Sequence, residues 1–108
     1  MRKGIDVERV RIAVRNSRIE WQRHALERMA EREIRRSDAL GILISGKLIE
    51  EYPDDEPFPS GLFLGWIGER PIHVVAAFDE ETDRVYVITV YEPDLEHFGP
   101  DFRSRRKS

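Results

Sequence analysis

Residues 72–92 read IHVVAAFDEETDRVYVITVYE, and this stretch decides the fold. Its two ends, residues 72–78 and 84–92, are rich in valine, isoleucine and tyrosine, which are residue types that favour β-strands. The polar segment between them, residues 79–83, has the composition of a turn. The stretch therefore predicts two neighbouring antiparallel strands of one sheet.

The segments before this hairpin predict further strands. Residues 47–52 and 62–67 each have strand composition, and the turn-rich sequence PDDEPFPSG lies between them. Further upstream, Ile19 and Trp21 alternate with charged and polar residues. This alternation indicates either a short strand or an extended link.

Helical periodicity dominates the first half of the chain. Asp6 is placed to cap a short first helix, and an amphipathic second helix begins at His24. Ser37 and Asp38 supply N-cap chemistry for a third helix, after which Gly46 offers a left-handed C-terminal residue. The order predicts an α+β fold, with two to three N-terminal helices packed on a small antiparallel sheet of about four strands.

The length of 108 residues suits one domain with one core. We therefore predict a single domain over residues 1–108, with a basic tail from about residue 96. The chain has no cysteine, which excludes disulfides and thiolate metal sites and fits a reducing compartment. Its first residues carry frequent charges and lack the apolar run of a signal peptide, so we expect a cytoplasmic protein without a membrane partner.

The charges are distributed unevenly along the chain. Residues 1–49 hold 12 Lys/Arg and 7 Asp/Glu, a net of +5, whereas residues 50–102 hold 2 and 14, a net of −12. Residues 103–108 add four cations. Local fields steer encounters, so the basic half and the tail are candidates for contact with phosphates. The alternative is an ordinary solvated surface.

One face of the predicted second helix carries His24, Arg28 and Arg32 at positions i, i+4 and i+8, and Arg35 extends it. Like charges at this spacing repel by roughly 0.2–0.5 kcal/mol per pair unless an anion lies among them. A phosphate fits, because arginine binds its oxygens bidentately, and a histidine beside it can exchange a proton with a ribose hydroxyl. The alternative is a solvated face on which nearby glutamates pair with these cations, namely Glu20, Glu27 and Glu31.

A second group of candidate residues lies on the predicted hairpin. If Phe78 pairs with Arg84, His73 lies opposite Thr89, and Tyr91 lies diagonal to it on the same face of the sheet. An imidazole, a hydroxyl and a phenol on one face are suited to act as acid, base and phosphate-orienting groups in RNA cleavage. The alternative is a structural histidine whose ring is hydrogen-bonded within the core.

Aromatic residues form a third candidate group, because sheet aromatics stack unpaired bases in several RNA-binding modules. The candidates are Tyr52, Phe63, Trp66 and Tyr86, and the alternative is that they belong to the core. The three histidines show no metal-binding spacing, and the acidic run Asp54–Asp55–Glu56 fits a solvated loop. The sequence therefore predicts neither a metal site nor a cofactor.

Three segments, RHALERMAEREI, IHVVAAFD and VYVITVYEPD, together resemble the bacterial domain of unknown function numbered four-two-five-eight, over roughly residues 18–95. That family is grouped with RelE-like toxins, and the layout also resembles MqsR-type messenger-RNA endonucleases. The resemblance implies a RelE-like fold and a ribonuclease toxin, acting on free or ribosome-bound messenger RNA and held inactive by an antitoxin protein. The family's motif positions correspond to His24, Arg28, Arg32, Thr89 and Tyr91.

The sequence departs from this pattern in two places. The family often has glycine after the final motif arginine, where this chain has Glu33, so the end of the second helix is expected to differ. The lysine-rich strands of active RelE-like nucleases are also missing, since Lys47 is the only lysine between Gly4 and Arg106. Fewer cations on the strands weaken the case for RNA cleavage.

The leading hypothesis is a metal-independent RNA endonuclease of a toxin–antitoxin pair, in which the ribose hydroxyl is the nucleophile. His24 or His73 would be the general acid or base, Arg28 and Arg32 would stabilise the transition state, and Tyr91 would orient the phosphate. The alternative is a non-catalytic module that binds nucleic acid or protein, as a degenerate toxin or a regulator. A third alternative, which makes no claim about RNA, is a module that only pairs with other proteins through a sheet edge.

Overall fold

The computed structural model describes residues 4–94 and 98–105 and confirms the α+β fold; the predicted tail lies partly outside these residues. The elements follow in the order α1 (Val7–Arg15), β1 (Ile19–Trp21), α2 (Arg23–Glu31), α3 (Arg36–Ser45), β2 (Lys47–Tyr52), β3 (Ser60–Ile67), β4 (Arg70–Asp79) and β5 (Arg84–Tyr91).

The sheet has five strands in the order β1-β5-β4-β3-β2, and it is mixed. The prediction of about four antiparallel strands was therefore wrong, as was the placement of all helices before the sheet, because β1 lies between α1 and α2. The strand β1 runs parallel to β5, with Ile19 opposite Val85, and the Gln22 backbone N–H donates to the Val87 carbonyl at 3.0 Å. Three residues are too few for alternation to distinguish a strand from a link.

The turn between β4 and β5 sets a pairing that differs from the one we assumed. Phe78 pairs with Val85, and Arg84 pairs with Asp79. The Asp79 carboxylate closes the turn by accepting from the Glu81 backbone N–H at 3.0 Å and from the Thr82 hydroxyl at 2.9 Å. This local hydrogen bonding explains why the assumed pairing was wrong.

A β-bulge further along the hairpin shifts the pairing again. Val75 lies opposite Thr89, but the next pair is Ala76 with Val87, so one residue of β5 is left out of the ladder. As a result, His73 lies directly opposite Tyr91 rather than opposite Thr89. The combined shift is an even number of residues, so all three candidate side chains of the hairpin stay on one face of the sheet.

The third helix begins and ends differently from the prediction. It starts at Arg36, and Asp38 lies in its first turn, where its carboxylate accepts from the Arg35 backbone N–H at 3.0 Å. Gly46 is extended, with φ −75° and ψ 178°, rather than left-handed. The glycine is needed for a close approach instead, since a Cβ atom there would lie 2.5 Å from the Ile42 carbonyl oxygen and 2.6 Å from that of Leu64.

The second helix ends with a left-handed residue, although that residue is not a glycine. Glu33 has φ 55°, and the Ile34 backbone N–H reaches back to the Met29 carbonyl at 2.8 Å. This is the hydrogen bond of a Schellman ending. Glu33 thus adopts the left-handed conformation that glycine usually takes at the end of a helix.

The helices cover one face of the sheet, which we call the helix face. Val10, Ala25 and Leu43 from the three helices share one core cluster with Phe63 of β3 and Val74 of β4. The opposite face, which we call the second face, carries Leu62, Leu64, His73 and Tyr91, together with Glu50 and Tyr52 of β2. The core therefore leaves the second face to be covered by another part of the chain.

Residues 98–105, which we call the closing loop, cover the part of this face around His73. Phe98 and Arg105 form an antiparallel bridge at its base, and the Gly99 backbone N–H donates to the Ser104 carbonyl at 2.8 Å. The Asp101 carboxylate accepts from the backbone N–H groups of Arg103 and Ser104, both at 3.1 Å. This part of the predicted basic tail is thus a compact turn packed on the sheet.

Candidate functional site

His73 is fully buried, with 0% of its surface exposed, and both ring nitrogens have partners. Its Nε2 lies 2.7 Å from the Phe102 carbonyl oxygen, and its Nδ1 lies 3.1 Å from the Tyr91 hydroxyl. A carbonyl only accepts hydrogen bonds, so Nε2 carries the proton and Nδ1 accepts from Tyr91. The structure thus fixes one tautomer of a neutral imidazole.

Beside His73, three side chains from β2 and the closing loop form a charged group. The Tyr52 hydroxyl donates to Glu50 Oε1 at 2.7 Å, and Arg105 Nε donates to Glu50 Oε2 at 2.8 Å. Arg105 also lies 3.5 Å from the Tyr52 hydroxyl. We call Glu50, Tyr52, His73, Tyr91 and Arg105 together the sheet cluster.

The surroundings set the protonation of the sheet cluster. Burial raises the pKa of Glu50, but hydrogen bonds from Tyr52 and Arg105 outweigh it, so the net pKa is lowered. Burial lowers the pKa of His73, only partly opposed by the hydrogen bond to Phe102, and burial raises the pKa of both Tyr52 and Tyr91. At neutral pH the cluster therefore holds a carboxylate, a guanidinium, a neutral imidazole and two neutral phenols.

The lowered pKa of His73 predicts a loss of stability in mild acid. Well above pH 6.5 the ring is neutral in both the folded and the unfolded chain. As the pH falls below 6.5, the unfolded chain binds a proton that the folded chain does not, so the free energy of unfolding decreases. Urea unfolding of the wild type and of His73→Gln, measured between pH 8 and pH 5 (about the range in which histidine titrates), checks this.

The difference in unfolding free energy between these two proteins is the informative quantity, because it removes the titration of the other groups. We expect this difference to shrink as the pH falls below 6.5, since only the wild type has the buried imidazole. A difference that is independent of pH would show that the imidazole titrates alike in the folded and unfolded chain.

The cationic candidates of α2 lie elsewhere. Ala25 and Met29 attach this helix to the core of the helix face, while His24, Arg28 and Arg32 are exposed on its outer side. Within residues 4–94 and 98–105, the Arg28 and Arg32 side chains make no ion pair; on this helix Arg23 pairs with Glu27 at 3.4 Å. The expected convergence of the helix residues with His73 and Tyr91 is therefore absent.

The remaining two candidates, Arg35 and Thr89, lie in different parts of the fold. Arg35 precedes α3 and is exposed. Thr89 is half-buried on the second face, opposite Val75 and two residues from Tyr91. Thr89 thus belongs to the same face as the sheet cluster, whereas Arg35 continues the exposed cationic surface of α2.

The aromatic candidates have separate environments. Phe63 is a core residue of the helix face, and Tyr52 belongs to the sheet cluster. Trp66 is 52% exposed and meets the Phe102 ring edge-to-face at 5.9 Å. Tyr86 stacks on Phe58 at 5.5 Å beside a pocket of roughly 270 Å³ on the second face. Trp66 lines another pocket, of roughly 470 Å³, so Tyr86 and Trp66 are both candidates that lie next to a space large enough for a base.

Sequence reasoning did not group Glu50, Tyr52 and Arg105 with His73 and Tyr91, although it named Tyr52 as a candidate for stacking bases. The first two alternate in β2, which was a usable signal that they share a face. Arg105 carried no such signal, since it is 55 residues away from Glu50 along the chain. Together the cluster offers a proton acceptor, an imidazole, two hydroxyl donors and a cation on one face of the sheet, which are the groups that acid–base chemistry on a phosphate ester uses.

The family model described as Domain of unknown function (DUF4258) matches residues 21–92, about two thirds of the chain. The protein belongs to this family. No curated protein and no solved structure matches the sequence. In the part of the chain that the structure describes, no helix is both long and apolar enough to cross a membrane.

Proposed function

We propose that the protein is a metal-independent RNA endonuclease of the toxin type, with its active site in the sheet cluster. The observation that supports this most is that the ion pair of Glu50 with Arg105 lies on the same face of the sheet as His73. The pKa of Glu50 is lowered, so this carboxylate is ionised at neutral pH. The RelE-like grouping implied by the sequence resemblance agrees with this chemistry.

The proposed reaction uses the ribose 2′-hydroxyl as an internal nucleophile. Glu50 takes the proton of the hydroxyl, O2′ bonds to phosphorus, and the bond from phosphorus to O5′ breaks. A protonated His73 gives its proton to the departing O5′, and Arg105 pairs with the phosphate oxygens as negative charge grows on them. The products are a 2′,3′-cyclic phosphate and a 5′-hydroxyl, and water then restores both proton carriers.

Expression in bacteria together with an RNA assay tests the proposal. The wild type should arrest growth and cleave messenger RNA in a buffer containing a metal chelator. Glu50→Gln removes the proton acceptor but keeps an oxygen for the Tyr52 hydrogen bond. This variant should therefore neither arrest growth nor cleave RNA. Growth arrest and RNA cleavage by a folded Glu50→Gln protein would refute this assignment.

The partners we propose are messenger RNA, free or ribosome-bound, and an antitoxin protein that restrains the enzyme. Co-expression with the protein encoded next to it should restore growth. A neighbouring protein that binds the chain without restoring growth would argue against an antitoxin.

A second candidate function, a non-catalytic RNA-binding module, is favoured by the exposed cations of α2. Arg28 and Arg32 lie on the outer side of the helix without an ion pair among the described residues. Free guanidinium groups release counterions when they meet phosphates. In this alternative the buried His73 is structural, and RNA is bound but not cut.

Replacing Arg28 and Arg32 with alanine should weaken RNA binding and flatten its salt dependence. Each lost phosphate contact on single-stranded RNA lowers the slope of log K against log salt by about 0.7. Arg9→Ala is a matched control, because Arg9 is already paired with Asp83 at 2.6 Å. Fluorescence anisotropy at several salt concentrations measures the slope. Equal slopes for the wild type, the variant lacking Arg28 and Arg32, and Arg9→Ala would exclude α2 from the RNA interface.

A further inference from the structure

The closing loop has a base and a tip that are held differently. At the base, Phe98 is 3% exposed and packs edge-to-face on His73 at 4.5 Å, and Arg105 is paired with Glu50. The tip, residues 99–104, reaches the sheet through Phe102, whose carbonyl accepts from His73 and whose ring contacts Trp66. The base is therefore anchored by burial and an ion pair, and the tip by one hydrogen bond and one exposed ring contact.

The conformation of Phe102 also sets the tip apart. Its φ is 57°, in the left-handed region that side chains other than glycine rarely adopt. The residue is held there by the Phe102 N–H donating to the Gly99 carbonyl at 2.9 Å and by the two contacts with the sheet. A strained residue with few contacts is the part of the loop that opens most readily.

We propose that the loop tip is a gate over the ribonuclease site, and that a phosphate oxygen of the RNA replaces the Phe102 carbonyl oxygen at Nε2 of His73. This inference rests on the proposed function. Both oxygens are hydrogen-bond acceptors, and Nε2 is the available ring donor because Nδ1 is engaged by Tyr91. Arg105 stays at the base, so opening the tip exposes His73 without removing the cation that the phosphate needs.

The gate also accounts for a conflict between the proposed chemistry and the closed structure. His73 must carry a proton to act as an acid, yet burial lowers its pKa in the closed form. Lifting the tip gives the ring access to water and returns its pKa toward the ordinary value of histidine. In the closed protein, the loop tip therefore shields His73 from RNA, and His73 lacks the proton that it must donate.

Variants of the exposed ring contact test the gate. Trp66→Ala and Phe102→Ala each remove the edge-to-face pair, so each should raise the rate of RNA cleavage by about two- to ten-fold, the factor that such a pair corresponds to. The double variant should be no faster than the better single variant, because both remove one contact. Ile12→Ala is the control, since Ile12 is an exposed apolar residue on α1.

Hydrogen exchange of the His73 Nε2 proton, followed by NMR, reports opening independently of cleavage, because this proton bonds to the Phe102 carbonyl across the gap that opens. We expect faster exchange in the two variants, and in the wild type when a 2′-O-methyl oligoribonucleotide, which has no nucleophile, is added. Faster exchange with an unchanged cleavage rate would overturn the gate and leave the ribonuclease intact. If the loop tip is open in every variant and none of them cleaves RNA, the proposed function is refuted, and so is the gate that rests on it.

Discussion

Replacing His73 with glutamine should lower the rate of RNA cleavage by about 10²- to 10⁴-fold, the usual contribution of a general acid. In the proposed reaction His73 is the group that protonates the departing O5′, and a glutamine amide has no proton to give at neutral pH. Glutamine still offers a donor toward the Phe102 carbonyl, so the fold should be kept. The rate constant under single-turnover conditions measures the effect without interference from product release.

Two variants make this result specific. His24→Gln changes an exposed residue of α2 and should leave the cleavage rate close to that of the wild type. Tyr91→Phe removes the hydroxyl that fixes the tautomer of His73, so we expect a smaller loss than in His73→Gln. A folded His73→Gln protein that cuts RNA at the wild-type rate would exclude His73 from the chemistry and leave it as a structural histidine.

The largest expected effect on stability is that of Gly46→Ala, which should lower the free energy of unfolding by about 1–3 kcal/mol or more. A Cβ atom at this position would lie 2.5 Å from the Ile42 carbonyl oxygen and 2.6 Å from the Leu64 carbonyl oxygen. Both are backbone atoms, one in α3 and one in β3, so relief requires the backbone at the end of α3 to change its conformation and to move away from β3. Chemical denaturation of the purified variant gives the value.

Gly41 provides a matched control for this substitution. It lies within α3, and a Cβ atom there would have no atom within 4 Å. Alanine is favoured over glycine in a helix interior by about 0.8–1.0 kcal/mol, so Gly41→Ala should stabilise the protein. Equal unfolding free energies for the two variants would show that the junction between α3 and β2 tolerates a side chain.

The parts of the fold that follow from local pattern could be predicted from the sequence. The many valine, isoleucine and tyrosine residues and the polar turn predicted the β4–β5 hairpin, and helical periodicity predicted α2. The strand β1 could not be assigned, because its pairing with β5 depends on residues more than 60 positions away. The bulge in β5 could not be predicted either, because one extra residue leaves the composition of a strand unchanged.

The candidate site was predictable to a similar degree. The prediction that His73 and Tyr91 share one face assumed that Phe78 pairs with Arg84. That pairing was wrong, but the turn and the bulge together shift the register by two residues, so both side chains stay on one face and meet in a hydrogen bond. The contact of Arg105 with Glu50 arises only when the chain folds back after β5. His24, Arg28 and Arg32 did share a helix face, but no sequence pattern showed that this face points away from the hairpin residues.

The most direct test of the sheet cluster as a ribonuclease site uses RNA substituted at one position. An oligoribonucleotide is first cut by the wild type in the presence of a chelator, and the cleaved position is then rebuilt with a 2′-deoxyribose. The account predicts a 2′,3′-cyclic phosphate and a 5′-hydroxyl at the original cut, and no cleavage there after substitution. Continued cleavage at the 2′-deoxy position, or ends bearing a 5′-phosphate, would contradict it.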